Sequence, residues 1–137
     1  MRNRVPNDTA TGGGETPVAP QRARVTQTVA QVCRGPRCQL IATEIGIDFA
    51  LQGVWRGTRF IPLPPRTFAI LAYLGRHADA VIPTEQLLAV GWPGELRVSD
   101  DLSRHIHRIR HAIEVHPNHP RILGNRRGAG YCLRPSA

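Results

Sequence analysis

The stretch Ser99-Asp100-Asp101-Leu102-Ser103-Arg104-His105-Ile106-His107-Arg108-Ile109-Arg110-His111-Ala112-Ile113-Glu114-Val115 decides how the rest of the chain is read. Ser99 and the two acids after it have the chemistry of a helix start: a hydroxyl able to accept from an early backbone N–H, then carboxylates where the helix dipole favours them. At about 100° per residue, Ile106, Ile109 and Ile113 fall within about 40° of Leu102, so one narrow apolar stripe faces a core. Arg104, His107, Arg108 and His111 lie opposite, with His105 and Arg110 on the flanks. The pattern predicts a helix from an N-cap at Ser99 to about Val115 with an outer face of hydrogen-bond donors.

A solvated helix mixes acids and bases in i, i+4 pairs, whereas the only acid here after Asp101 is Glu114, near the end where the dipole disfavours it. Mere solvation explains this poorly. A cationic helix fits the major groove of B-DNA, where arginine can bond guanine edges in bidentate fashion and flanking cations reach phosphates. His107 and His111 stand at i, i+4 like a pair of metal ligands. Arginines occupy the positions between them where a zinc hydrolase helix carries its glutamate, so neither a metal nor another cofactor is expected.

C-terminal to this helix, Arg121 to Leu133 reads as two strands around a glycine-rich turn, a hairpin with Asn125, Arg126 and Arg127 near its tip. Gly128 and Gly130 form no phosphate loop, since neither a Walker lysine nor a following helix is present. On the N-terminal side, Thr84 to Val90, ending at Gly91-Trp92-Pro93-Gly94, predicts a second helix. Pro65 to Arg76, with Phe68, Ile70, Leu71 and Leu74 inward, predicts a first. Earlier still, Gln39–Thr43, Gly46–Leu51, Val54–Arg56 and Arg59–Ile61 read as short strands of an antiparallel sheet, stopped by Pro62-Leu63-Pro64-Pro65. The elements predict an α+β fold: a small N-terminal antiparallel sheet, three helices and a C-terminal β-hairpin.

The chain has 137 residues, enough for one core and a tail. Its 18 basic residues are all arginine, against 10 acids, for a net charge of +8. The excess lies at the ends: net +4 over residues 1–38, zero over 39–98 and +4 over 99–137. A polyanion is the first partner to consider. Residues 1–30, with three consecutive glycines and no aromatic side chain, are expected to be a disordered basic tail, and residues 38–135 the folded domain. No apolar run approaches the roughly 18 to 20 residues that span a bilayer, so a cytoplasmic, nucleoid-associated protein without membrane contact is expected. Three cysteines, Cys33, Cys38 and Cys132, suit a reducing compartment. Free thiols are the expected state, with half a metal site or a strained disulfide at Cys33 and Cys38 as alternatives. No nucleophile, base and orienting group form a constellation, and an enzyme is not expected.

Four stretches taken in order resemble one family: Leu63-Pro64-Pro65-Arg66-Thr67-Phe68, then Glu85-Gln86-Leu87-Leu88 with Trp92, then His105-Ile106-His107-Arg108-Ile109-Arg110, then Pro120-Arg121 with Arg127-Gly128-Ala129-Gly130-Tyr131. They are similar to the OmpR/PhoB-type winged-helix effector domain of bacterial transcription regulators, over about Leu40 to Leu133. The resemblance implies a winged helix-turn-helix, the hairpin being its wing, and duplex DNA as partner, with the third helix in the major groove and the wing in an adjacent minor groove. It implies a base-reading role for Arg108, a minor-groove role for Arg127, and phosphate contacts from His105, Arg110 and Asn125. Arg104, His107, His111 and Arg126 complete the expected DNA-facing set. It also implies a polymerase-contact loop containing Trp92, Gly94, Glu95 and Arg97, and tandem homodimers on DNA. Gly91, Thr67, Asp100 and Arg126 depart from the family pattern, the first two in packing and the last two in DNA contact. Met1 and a terminus soon after the wing favour a stand-alone regulator over an excerpt. The alternative function is an interaction module that binds polymerase or another regulator, with DNA contact minor.

Overall fold

The computed structural model describes residues 28–33 and 35–135. The expected tail lies outside the described residues up to position 27. Thr28, Val29 and Ala30 are described, and Val29 is fully buried at the start of a helical turn, α1 (Val29–Val32).

Four strands follow: β1 (Cys38–Ala42), β2 (Ile45–Asp48), β3 (Gly53–Arg56) and β4 (Arg59–Pro62). They pair in chain order as an antiparallel meander, with Ile47 opposite Val54 and Val54 opposite Ile61. Alternation then puts Ile45, Ile47 and Val54 on one face and Gly46, Asp48 and Trp55 on the other. β2 stops at Asp48 rather than running to Leu51, because the Asp48 carboxylate accepts the Ala50 and Leu51 N–H groups at 3.1 and 2.9 Å and so builds the turn. The Trp55 Nε1–H also donates to it, at 3.0 Å. Burial alone would raise the pKa of this carboxyl; the Leu51 and Trp55 hydrogen bonds, the nearby Arg37 charge and the Ala50 N–H outweigh it and hold Asp48 below the ordinary carboxylate value.

Three helices, α2 (Pro65–Arg76), α3 (Thr84–Gly91) and α4 (Ser99–Ile113), pack on one another, with α4 against β3 and Gly75 of α2 next to Ile47 on the first face. Pro65 occupies the first helical position of α2, where its missing N–H costs nothing. The core joins Ile41, Ile47 and Val54 of the sheet to Phe68, Leu71 and Leu74 of α2, Leu87 of α3, and Leu102, Ile106, Ile109 and Ile113 of α4. Each such burial stabilises by roughly 1.5 to 3 kcal/mol. The expected apolar stripe of α4 is therefore the buried one.

The chain closes with β6 (Leu123–Arg126) and β7 (Gly130–Leu133), the expected wing. A two-residue strand, β5 (Val81–Ile82), joins its far edge and gives the order β5-β7-β6, a strand too short for any sequence periodicity to reveal. Gly130 is required where these strands meet: its φ is +143°, and a Cβ there would run into the Ile82 carbonyl and approach Pro83 Cα to 2.9 Å. The expected α+β winged helix-turn-helix is thus the observed architecture, with α1 and β5 added.

Two local expectations are corrected. Val98, not Ser99, is the N-cap of α4, with the Val98 N–H donating to Asp101 Oδ2 at 3.3 Å, and the helix ends at Ile113 rather than Val115. Cys33 and Cys38 are joined in a disulfide instead of being free thiols; Cys132 is free and buried. The spacing Cys33-x4-Cys38 turns back at Gly35, whose φ is +87°, and this brings the two Cα atoms to 5.4 Å, within bonding reach. No helix among the described residues is long and apolar enough to cross a membrane.

Candidate nucleic-acid interface

With its stripe buried, α4 presents Arg104, His107, Arg108 and His111 to solvent. Arg104 lies 3.1 Å from the Asp101 carboxylate, and the His107 and His111 rings meet edge to face at 4.3 Å. Among the described residues Arg108 has no acid within 4.0 Å, so its guanidinium is free for an external acceptor. The two imidazoles gain no third ligand: no group of three or more His, Cys, Asp or Glu is gathered among the described residues.

The flanking positions behave otherwise. His105 is half-buried, with Nδ1 sharing a 2.8 Å hydrogen bond with Oγ1 of the fully buried Thr67 and its ring against Trp92 at 5.3 Å. Burial first, then the positive charges of Arg108, Arg66 and Arg104, push its pKa below the ordinary histidine value, with Asp101 opposing. The Thr67 and Trp92 contacts hold the imidazole inward, and its neutral form is favoured. The departure at Thr67 has a partner: a hydroxyl for an imidazole. Arg110 is half-buried too, its Nε–H donating to the Leu123 carbonyl at 3.2 Å and its guanidinium 6.0 Å from the Tyr131 ring. One edge of this side chain fastens the wing to the helix.

Asn125, Arg126 and Arg127 are exposed at the wing tip, on the end of the hairpin that α4 and Arg110 support. In the loop between α3 and α4, Gly94, Glu95 and Arg97 are exposed, with Glu95 and Arg97 paired at 2.7 Å. Trp92 is not part of that outer surface. It is 4% exposed, stacked under Arg66 at 5.0 Å and Arg97 at 5.7 Å, because an indole following the end of α3 has the α2–α4 junction to fill. Leu96 stands fully out in solvent instead.

Two groups that sequence reasoning passed over complete the site. Arg66 of α2 donates from Nε to the Gly91 carbonyl at 2.7 Å and shares a polar hollow with Arg97, Arg104, His105 and Arg108. Gly91, an expected departure, sits close to α2: a Cβ there would press on Ile70 at 3.2 Å, while Arg66 Cγ would be in ordinary contact at 3.6 Å. The second is Glu114, which caps α4 and is 3% exposed. Its carboxylate accepts four hydrogen bonds of 2.7 to 3.1 Å from the Arg121, Ile122 and Leu123 backbone N–H groups. Arg56 of β3 donates from Nη1 to the Ala112 and Glu114 carbonyls at 3.1 and 3.2 Å, placing positive charge at the negative end of the helix. The sheet, α4 and the start of the wing are joined at this one point.

Residues 57–133 match the family described as "Transcriptional regulatory protein, C terminal". Among solved structures the chain is similar to the response regulator DrrB of Thermotoga maritima, an OmpR/PhoB homolog, at 33% identity and a TM-score of 0.61, over 66% of this chain and 41% of that one. The match thus spans well under two thirds of DrrB. It is also similar to the DNA-binding domain of CadC from E. coli (18% identity, TM-score 0.61, 74% of this chain and 94% of that). A third is the RstA DNA-binding domain of Klebsiella pneumoniae, solved in complex with the RstA box (22%, 0.58, 66% and 91%). At such identities the last two show likeness of fold. With the family match covering more than half of its length, the chain belongs to the OmpR/PhoB-type transcriptional regulatory protein C-terminal family, a family of DNA-binding transcription regulator domains and not of enzymes.

Proposed function

We propose that this domain binds duplex DNA sequence-specifically to regulate transcription in a bacterium, with α4 in the major groove and the wing reaching the adjacent minor groove. The observation that carries the reading is the outer face of α4, where Arg104, His107, Arg108 and His111 are all exposed and, among the described residues, Arg108 has no acid within 4.0 Å. Arg108, mid-face, reads a guanine edge; Arg104, His107 and His111 flank it toward the phosphates. Arg127 enters the minor groove, where an arginine responds to groove width, and Asn125 and Arg126 meet the backbone. His105 acts as a neutral, pre-oriented group whose position Thr67 and Trp92 determine. Arg110 joins the two reading elements and offers its outer edge to a phosphate.

A protein contact is supported at the loop: Leu96 and Val98, 102% and 65% exposed, flank the Glu95–Arg97 pair next to α4. Gly94, Glu95 and Arg97 with Leu96 are the surface that RNA polymerase would touch while α4 is on DNA. The experiment is selection of bound duplexes from a random pool by the purified chain. A motif of direct repeats about one helical turn apart supports tandem homodimers, and an inverted repeat supports two-fold dimers. Absence of any enriched motif, with a log–log salt slope near zero, contradicts DNA binding and favours the interaction-module reading.

A further inference from the structure

The Cys33–Cys38 disulfide takes no part in the interface. It lies on the side of the sheet that carries Gly46, Asp48 and Trp55, while α4 packs against the side that carries Ile47 and Val54. α1 rests on this outer side against β2 and β3 through Val29, which has no exposed surface, and Cys33, which has 3%. The sequence of β2 is fitted to the sulfur: a Cβ on Gly46 would collide with Cys33 Sγ and stand 3.1 Å from Cys33 Cβ, and Cys33 Sγ lies 3.7 Å from the Ile47 carbonyl. Glycine inside a strand weakens it unless another group needs the space, and here the sulfur does.

A helix of four residues has no stability of its own, so α1 keeps its place through these contacts and the covalent link to β1. On the reading that this chain works on chromosomal DNA, the link stands among cellular thiols, where disulfides are mostly transient, catalytic or redox-sensing. We propose that Cys33 and Cys38 form a reversible thiol–disulfide site, reduced by dithiols and re-formed by low-molecular-weight disulfides, whose oxidised state fastens α1 over the outer face of the sheet.

The exchange follows from exposure. Cys38 is half-buried and Cys33 buried, so a dithiol's thiolate attacks Cys38 Sγ; the S–S bond breaks and Cys33 leaves as a thiolate that takes a proton. The reductant's second thiolate then attacks the mixed disulfide, releasing the Cys38 thiolate, which is protonated in turn. Two electrons have passed to the protein, and the dithiol has become a disulfide. In reverse, the Cys38 thiolate attacks glutathione disulfide and expels one glutathione thiolate. The Cys33 thiolate displaces the second and closes the protein bond. Cys132, buried at 2% exposure in the wing sheet, stays outside this cycle.

The test uses the full chain equilibrated with glutathione disulfide or with dithiothreitol. Mass mapping after alkylation and hydrogen exchange are measured in both states, and binding to duplex DNA is measured separately. After glutathione disulfide, the Cys33 and Cys38 peptides should be joined with loss of two hydrogens and unreactive to iodoacetamide. After dithiothreitol, both should alkylate, and exchange at the Cys33 amide, bonded to the Val29 carbonyl at 2.7 Å, should rise by about tenfold or more while α4 amides stay unchanged. Cys33→Ser and Cys38→Ser should behave as reduced under both conditions, and Cys132→Ser should keep the response. Separate alkylation of Cys33 and Cys38 after glutathione disulfide, or equal exchange in both states, overturns the proposal. Failure to bind DNA in both states overturns the functional reading instead, and the two failures are thereby distinguished.

Discussion

The outer face of α4 and its C-terminal end treat charge in opposite ways. On the face, Arg104, His107, Arg108 and His111 stand in solvent; Arg104 pairs with Asp101 and the His107 and His111 rings touch each other. At the end, the carboxylate of Glu114 is buried and accepts from three backbone N–H groups, while Arg56 engages the last carbonyls. The same helix therefore holds one region in which polar groups are satisfied internally and one in which they are not. Internally satisfied groups fix where helix and wing sit relative to each other; exposed ones are left for a ligand. Substitutions at the end should therefore act on stability, and substitutions on the face on binding.

Glu114→Ala carries the largest expected effect. It leaves the Arg121, Ile122 and Leu123 N–H groups without their acceptor, two of these residues being buried or fastened to the wing, and should cost about 3 kcal/mol or more of unfolding free energy in urea denaturation. Glu114→Gln keeps the shape and one acceptor oxygen and should lose less. A cost below about 1 kcal/mol for the alanine variant would break the comparison.

Arg108→Ala should invert that pattern. Unfolding stability should stay within about 0.5 kcal/mol of wild type, while affinity for the selected duplex falls by about 1 to 3 kcal/mol. A shifted denaturation midpoint would show that Arg108 has an internal role.

Arg110→Ala sharpens the comparison because it belongs to both regions. Loss of its hydrogen bond to Leu123 should cost about 1 kcal/mol of stability, and DNA affinity should fall on every sequence, with the log–log salt slope reduced by about one. An effect on binding with none on stability would place Arg110 wholly on the face.

The smallest effect is that of pH at His105. Its folded pKa is lowered, so the unfolded chain binds the proton more readily, and stability falls as pH drops through the ordinary histidine value of about 6.5 toward the folded value. An NMR titration should place the His105 midpoint below 6.5, and Thr67→Val should move it, since the 2.8 Å partner is removed. A midpoint at or above the ordinary value would contradict the burial and positive surroundings that lower the pKa of His105.

The fold was legible where a pattern repeats within one element. The stripe Leu102, Ile106, Ile109, Ile113 and the wing with its glycine turn are of this kind. The exposed cationic face was legible for the same reason: exposure of Arg104, His107, Arg108 and His111 follows from helical phase alone. What escaped depends on residues distant in sequence. Thr67 is 38 positions from His105, and the donors to Glu114 lie seven to nine residues beyond it in a connection without periodicity. The dipole rule marked Glu114 as misplaced, and the rule was outweighed by donors it does not count. Trp92 read as loop because a turn and a buried indole look alike between two helices, and β5 is too short to carry alternation. Composition favoured free thiols, and only the backbone turn at Gly35 brings Cys33 and Cys38 together.

The central claim, that the outer face of α4 reads base sequence, is tested most directly by fluorescence anisotropy of wild type and Arg108→Ala on the selected duplex and on a series of its single-base-pair variants. Wild type should lose about 1 to 3 kcal/mol at each specified base pair. Arg108→Ala should lose its discrimination at one guanine-containing pair and keep it at the others. An equal loss by Arg108→Ala on every duplex, with the discrimination profile unchanged, would mean that the face acts only as positive charge and would contradict the account.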